Sequence, residues 1–209
     1  MQKKKKDIEN IIKNDVLNNA KTYFIVIVIF IVGILLGVMF INQTKDKSEI
    51  QEYISTYINE TKSLQKGDYF KELQRDIKNN IALVLLIWFA GTTIIGIPIV
   101  LGVIMFRGFC LGYTIASCVY VFGRIKALIF IAITILLQNI IFIPAIMVLG
   151  VSSIKLYKSI VRDRRKENIK LSIIKHSLIS LVILIVLIMS SIIKVEISYR
   201  LIVSFIKYF

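Results

Sequence analysis

The sequence predicts an all-α fold: a polytopic membrane helical bundle of about five transmembrane helices, with an extracytoplasmic amphipathic helical hairpin. Three observations predict it. Of 209 residues 56% are hydrophobic and the mean hydropathy is +0.76, so lipid is the solvent for most of the chain. The Lys and Arg residues behind a net charge of +14 flank the apolar runs, where they meet anionic headgroups and set orientation; that placement argues against nucleic acid as a partner. Finally, Gly96, Pro98, Arg107, Gly108, Gln138, Asn139 and Pro144 interrupt an apolar field in which a passive anchor would carry only Leu and Ile.

Residues 1–22 read as a cytoplasmic interfacial segment, with Lys3 to Lys6 and Lys13 beside Ile8, Ile11, Ile12 and Val16 at helical spacing. The first span, 23–41, is about 28 Å long, close to the ~30 Å of a hydrocarbon core. It exceeds the apolar core of a signal peptide and no small-residue cleavage site follows, so it reads as a retained signal-anchor. Residues 42–80 form the extracytoplasmic segment, with balanced charge. Ile50, Tyr53, Ile54, Tyr57, Ile58 and Leu64 share one helical face, with Ser48 and Gln51 at the spacing of a capping box. Lys66-Gly67-Asp68 is a turn signal, and Phe70, Leu73 and Ile77 mark a second amphipathic helix.

The apolar run from Ile81 to Phe122 is too long for one span, and two breaks fit it. A hairpin at Arg107-Gly108 gives spans 81–106 and 108–123. A break at Ile97-Pro98, where proline disfavours helix at the preceding residue, places Arg107 inside the following span. An Arg near the bilayer centre costs at least ~2.5 kcal/mol, which favours the hairpin and leaves Gly96 and Pro98 to kink the second span. The fourth span is 127–150. Residues 151–176 form a basic cytoplasmic loop, in which only Asp163 and Glu167 oppose Lys155, Lys158, Arg162, Arg164, Arg165, Lys166, Lys170 and Lys175. The fifth span is 177–193, and 194–209 is a C-terminal interfacial segment. Basic residues mark the cytoplasmic side, so the N-terminus and the basic loop lie inside, and residues 42–80 and the C-terminus outside.

Arg107 has two readings: a guanidinium that snorkels to the interface at a hairpin turn, or a functional group inside the bundle. Gln138 and Asn139 either hydrogen-bond across helices or line a polar path for a solute. Pro144 deprives Ile140 of its usual backbone donor, and the nearby carboxamides help to satisfy freed carbonyls. Gly33/Gly37 and Gly108/Gly112 have the small-xxx-small spacing of close helix packing, internal by default, with a homo-oligomer as the alternative. Cys110 and Cys118 lie two helical turns apart, too far for a disulfide, and read as small buried residues. His176, the sole histidine, reads as an interface residue beside the basic loop. No nucleophile elbow, phosphate loop, paired-histidine motif or Cys/His metal spacing occurs, and every Asp and Glu falls in a segment assigned to water. No catalytic residue, metal or cofactor is therefore expected, and the chain reads as a non-enzyme.

The run Gly96-Ile97-Pro98-Ile99-Val100-Leu101, continued by Phe106-Arg107-Gly108-Phe109-Cys110-Leu111-Gly112-Tyr113-Thr114, resembles the core of the stage II sporulation protein M family. Leu137-Gln138-Asn139-Ile140-Ile141-Phe142-Ile143-Pro144-Ala145 resembles that family's fourth span, with Leu137 where relatives often carry proline. The resemblance covers nearly the whole chain. It implies a scaffold in the mother-cell membrane at the sporulation septum, holding two cell-wall hydrolases, sporulation proteins D and P, for septal peptidoglycan remodelling and forespore engulfment. Membrane lipids are the other implied partners. On the outward stripe, Tyr53, Tyr57 and Phe70 are the candidate partner contacts, since aromatics concentrate at interface centres. The competing reading is a small-solute transporter or channel component, with Arg107, Gln138 and Asn139 along its path.

Overall fold

A computed structural model describes residues 16–44, 48–63, 69–93, 95–131, 137–162 and 166–206, and their regular elements are all α-helices. In chain order these are α1 (Ala20–Gln43), α2 (Ser48–Ser63), α3 (Tyr69–Thr92), α4 (Gly96–Phe122), α5 (Arg124–Ile131), α6 (Leu137–Arg162) and α7 (Lys166–Ile206). Four helices are long and apolar enough to cross a membrane: α1, α4, α6 through Asn139–Val161 and α7 through Ile169–Glu196. α3 is divided: Lys71 to Asn80 is polar on most faces, and Ile81 to Ala90 is almost wholly apolar.

α1 and α4 each bury a narrow stripe and leave their other faces exposed. α1 buries Thr22, Val26, Phe30, Gly33, Gly37 and Ile41, the three- and four-residue spacing of a single helical face. Its other faces expose Phe24, Leu35, Met39 and Phe40. α4 buries Gly96, Val100, Ile104, Gly108 and Gly112, one residue in four. Lipid tails are as apolar as Leu, so association rests on close contact and interhelical hydrogen bonds rather than on withdrawal from water. The glycines follow from that. A Cβ at Gly33 would overlap the Met105 carbonyl oxygen, and one at Gly37 that of Phe109. Added at Gly108 or Gly112, it would overlap the carbonyl oxygen of Phe30 or Ile34.

Those contacts advance together along both helices, so α1 and α4 run parallel, and α3 carries the chain back between them. α3 and α7 are antiparallel: Trp88 Nε1 donates to Ser177 Oγ at 3.0 Å towards one end, and Lys194 pairs with Asp76 towards the other. α6 and α7 form an antiparallel hairpin, with Ser159 and Ser172 hydrogen-bonded at 2.9 Å near its turn. α6 is central and packs on α1, α3, α4 and α7. Around it Val26, Ile87, Val100, Ile104, Leu149 and Leu187 are fully buried. The start of α1 meets the end of α6, where Lys158 Nζ donates to Thr22 Oγ1 at 3.1 Å. The first residues of α1, the α3–α4 turn and the α6–α7 turn thus share one end of the bundle. α2 and the end of α4 lie at the other, where Ile54 packs with Cys118, Ala127 and Ile131.

Several boundaries differ from the sequence-based expectation. The break falls at residues 93–95, not at Arg107-Gly108, so spans 81–106 and 108–123 are replaced by the second half of α3 and the whole of α4. The turn is specified locally. Thr93 donates to the Ala90 carbonyl from both its backbone N–H (3.1 Å) and its hydroxyl (2.9 Å), and a Cβ at Gly96 would collide with that same carbonyl. Pro98 sits in the first turn of α4, where a missing N–H forfeits no helical bond, so it neither kinks nor breaks a span. A hairpin at Arg107 would have destroyed the parallel glycine seam. The fourth span, expected at 127–150, is α5 followed by α6, with residues 132–136 outside the described set, and α6 runs on to Arg162. Much of the expected basic loop 151–176 is helix, because Val151, Ile154 and Leu156 are buried against the bundle. α7 continues unbroken through 194–206, so no separate interfacial helix forms there. Of the N-terminal interfacial segment, residues 1–15 lie outside the described set, as does the Lys66-Gly67-Asp68 turn.

Candidate functional site

The residues singled out by sequence converge on the meeting of α1, α4 and α6. Arg107 points from the middle of α4 towards α6, where its guanidinium lies over the Phe142 ring, 5.2 Å from the centroid. That is cation–π distance, and the interaction strengthens with desolvation. Phe30, Ile104, Leu111, Asn139, Ile143 and Met147 complete a crevice of about 10 Å³, room for about one water. Arg107 and Asn139 are both half-buried. Gln138 is in the first turn of α6, but its side chain lies outside the described set, and Pro144 is exposed two turns on. Arg107 and Asn139 are therefore brought together in one crevice. Gly108 and Gly112 stand beside them in the seam against α1, while Gly96 and Pro98 belong to the α3–α4 turn.

The candidate partner contacts lie elsewhere. Tyr53 and Tyr57 are on α2 and their side chains are outside the described set; Phe70, at the start of α3, is 72% exposed. On α2 itself Ile50 and Ile54 are buried against the bundle. A groove at this end is lined by Val38, Ile41, Ile50, Ile115, Val119 and Tyr120, and shares no residue with the Arg107 crevice.

Two polar clusters were not singled out by sequence. Between α3 and α7, Lys194 Nζ contacts Asp76 Oδ1 at 2.5 Å. Asn80 Nδ2 donates to Ser191 Oγ at 2.8 Å and reaches Asp76 Oδ2 at 3.4 Å. The signal was present in the spacing: Asp76 and Asn80 fall four apart on α3, Ser191 and Lys194 three apart on α7, so each pair shares a helical face. Nearer the other end His176, read from sequence as an interface residue, is buried to 1% exposure in the centre of three helices. Its Nδ1 is hydrogen-bonded to Ser152 Oγ at 2.9 Å. A Cβ on Gly91 of α3 would stand 2.9 Å from both its Nε2 and Ser153 Oγ, so the imidazole fills the space that this glycine leaves.

The Ser152–His176 distance is that of a nucleophile and its base, yet Ser152 is only 6% exposed and no carboxylate occurs in the chain from Ile77 to Arg162 or from Asn168 to Val195. The arrangement fits a clamp between α6 and α7. Among the described residues no three His, Cys, Asp or Glu side chains are grouped as metal ligands. Cys110 and Cys118 are both free thiols, the second fully buried beside α5. The geometry offers polar groups paired across helices and close helix contacts.

In comparison with known proteins, the family model described as SpoIIM, stage II sporulation protein M, matches residues 26–198. That range runs from within α1 to within α7 and takes in the glycine seam and the Arg107 crevice. No curated protein and no solved structure matches the chain.

Proposed function

Because the chain belongs to the stage II sporulation protein M family, a family of sporulation-related membrane proteins, we propose that it acts as a non-enzymatic scaffold of the engulfment machinery. In this reading the bundle sits in the mother-cell membrane at the septum. It recruits the peptidoglycan-degrading sporulation proteins D and P for septal wall remodelling and forespore engulfment. The observation that carries the proposal is that Asn80 pairs with Ser191 and Ser152 with His176 across helices, while the crevice beside Arg107 has space for only about one water. A solute path would need a water-accessible pocket at mid-depth, usually between repeated halves.

Orientation follows from charge. Lys21, Lys155, Lys158, Lys170 and Lys175 gather at the end that holds the α6–α7 turn, and such clusters stay cytoplasmic. That choice turns α2 and the start of α3 towards the wall, where Phe70, Tyr53 and Tyr57 are placed to meet a hydrolase. Affinity-tagged protein recovered from sporulating cells is expected to bring down both hydrolases, and Tyr53→Ala/Tyr57→Ala/Phe70→Ala to reduce their recovery. Unchanged recovery with the triple variant would end the contact assignment. Cleavage of muropeptides by the purified protein, or solute uptake into liposomes containing it, would end the scaffold reading itself.

A further inference from the structure

From Gly96 to Arg107 α4 rises about 16 Å, which sets the guanidinium roughly halfway across a hydrocarbon core of about 30 Å. A charge at that depth persists in membrane proteins by pairing with another charge, with backbone carbonyls or with water. The chain itself offers Arg107 little. No carboxylate occurs in residues 16–45, 77–162 or 168–195, which hold α1, α4, α5, α6 and α7 from Asn168 to Val195. Asp76, one residue before the second of these stretches, is already engaged by Lys194 at 2.5 Å and by Asn80. Among the described residues the contact made by the guanidinium is the face of Phe142. Arg107 is itself only half-buried, and its neighbours in sequence on the outer surface, Phe106 on α4 and Ile140 beside Asn139 on α6, are 62% and 61% exposed.

We propose that the exposed α4–α6 face beside this crevice docks the transmembrane helix of a partner that carries a carboxylate at mid-depth, the acid pairing with half-buried Arg107 while apolar neighbours pack on Phe106 and Ile140. Charge complementarity selects that occupant. In a second copy of this chain the carboxylates that flank the spans, Asp76 and Glu196 among them, fall towards the ends of the apolar runs rather than at mid-depth. A lipid phosphate lies in the headgroup layer, and the guanidinium is turned in towards α6. A small inorganic anion would have to enter hydrocarbon without a helix to carry it. The inference deepens the scaffold reading, on which it rests for the existence of a partner, by naming the chemistry of one contact.

The test uses the full chain, donor-labelled and reconstituted in phosphatidylcholine vesicles at neutral pH. The probe is an acceptor-labelled synthetic helix with a Leu/Ala core, Lys flanks and one central Asp, compared with the same helix carrying Asn. Energy transfer is expected to show the Asp helix associating about tenfold more tightly than the Asn helix, a difference within the range of intramembrane charge pairing. Arg107→Gln should erase that preference and Arg107→Lys keep part of it. The Asp–Asn comparison is made on the unaltered chain, so a folding defect in a variant does not blur it. Equal association of the two probes would overturn the proposal, as would a preference that survives Arg107→Gln. So would transfer between two labelled copies of the chain that the Asp probe does not displace, which would assign the crevice to a second copy. No hydrolase is present, so the outcome is independent of whether sporulation proteins D and P co-purify.

Discussion

At the scale of single residues, the seam between α1 and α4 depends on four hydrogen atoms. Any side chain at Gly33, Gly37, Gly108 or Gly112 would press a carbon into a carbonyl oxygen of the facing helix. Backbone cannot swing aside as a side-chain tip can, so Gly33→Leu or Gly112→Leu should destabilise the protein by about 1–3 kcal/mol or separate the two helices. Thermal unfolding in detergent measures it, with Gly102→Ala as the control. Gly102 has nothing within 4 Å of an added Cβ, and its variant should unfold no earlier than the parent. The glycine spacing was legible in the sequence, as was the peculiarity of Arg107. What Arg107 faces was not, because Phe142 and Asn139 come from a helix many residues away and no local spacing encodes that meeting. His176 was misread for a related reason: beside a lysine and a basic stretch it looks wet, and only the packing of α3 and α6 around it makes it dry.

At the scale of elements, the hydrophobic runs announced helices but not their ends. The α3–α4 turn falls close to the Ile97-Pro98 break, the alternative disfavoured because an Arg inside a span is costly and because residues 93–95, Thr, Ile and Ile, are apolar enough to pass for the middle of a span. The decisive marker, Gly96, is needed for its closeness to the Ala90 carbonyl, a contact across the turn that composition does not reveal. α3 itself illustrates how a partly polar helix joins such a bundle. Asp76 and Asn80 face Lys194 and Ser191 of α7, which satisfies charges and amides that lipid would not. Both members of the ion pair are mostly buried, their side chains 16% and 23% exposed. Removing one therefore leaves the other uncompensated, a change expected to cost about 2 kcal/mol. Asp76→Asn and Lys194→Gln should each lower the unfolding temperature, and the double variant by less than the sum of the two. Strict additivity in that double-mutant cycle would show that the pair contributes nothing as a pair.

At the scale of the whole molecule, the parallel course of α1 and α4 fixes how often the chain crosses. Two parallel spans need a return path between them, and α3 supplies it, although among the described residues four other helices are the ones that qualify as spans by length and composition. At 24 residues α3 is about 36 Å long, enough to cross, and its polar first half is the part lined by α7. Five crossings then place the α3–α4 turn and the α6–α7 turn on one side of the membrane and the end of α1 on the other. Cysteine accessibility tests this directly. In a background carrying Cys110→Ala and Cys118→Ala, a membrane-impermeant maleimide should reach Gln43→Cys from one side. It should reach Ile95→Cys and Lys170→Cys only from the opposite one, and all three positions are exposed. In the orientation proposed from the distribution of lysines, the first is expected from the wall side and the other two from the cytoplasmic side. Labelling of Gln43→Cys and Ile95→Cys from the same face would mean that α3 does not cross. α1 and α4 would then have to enter the bilayer from opposite faces, and the glycine seam that holds them side by side in the same direction could not form.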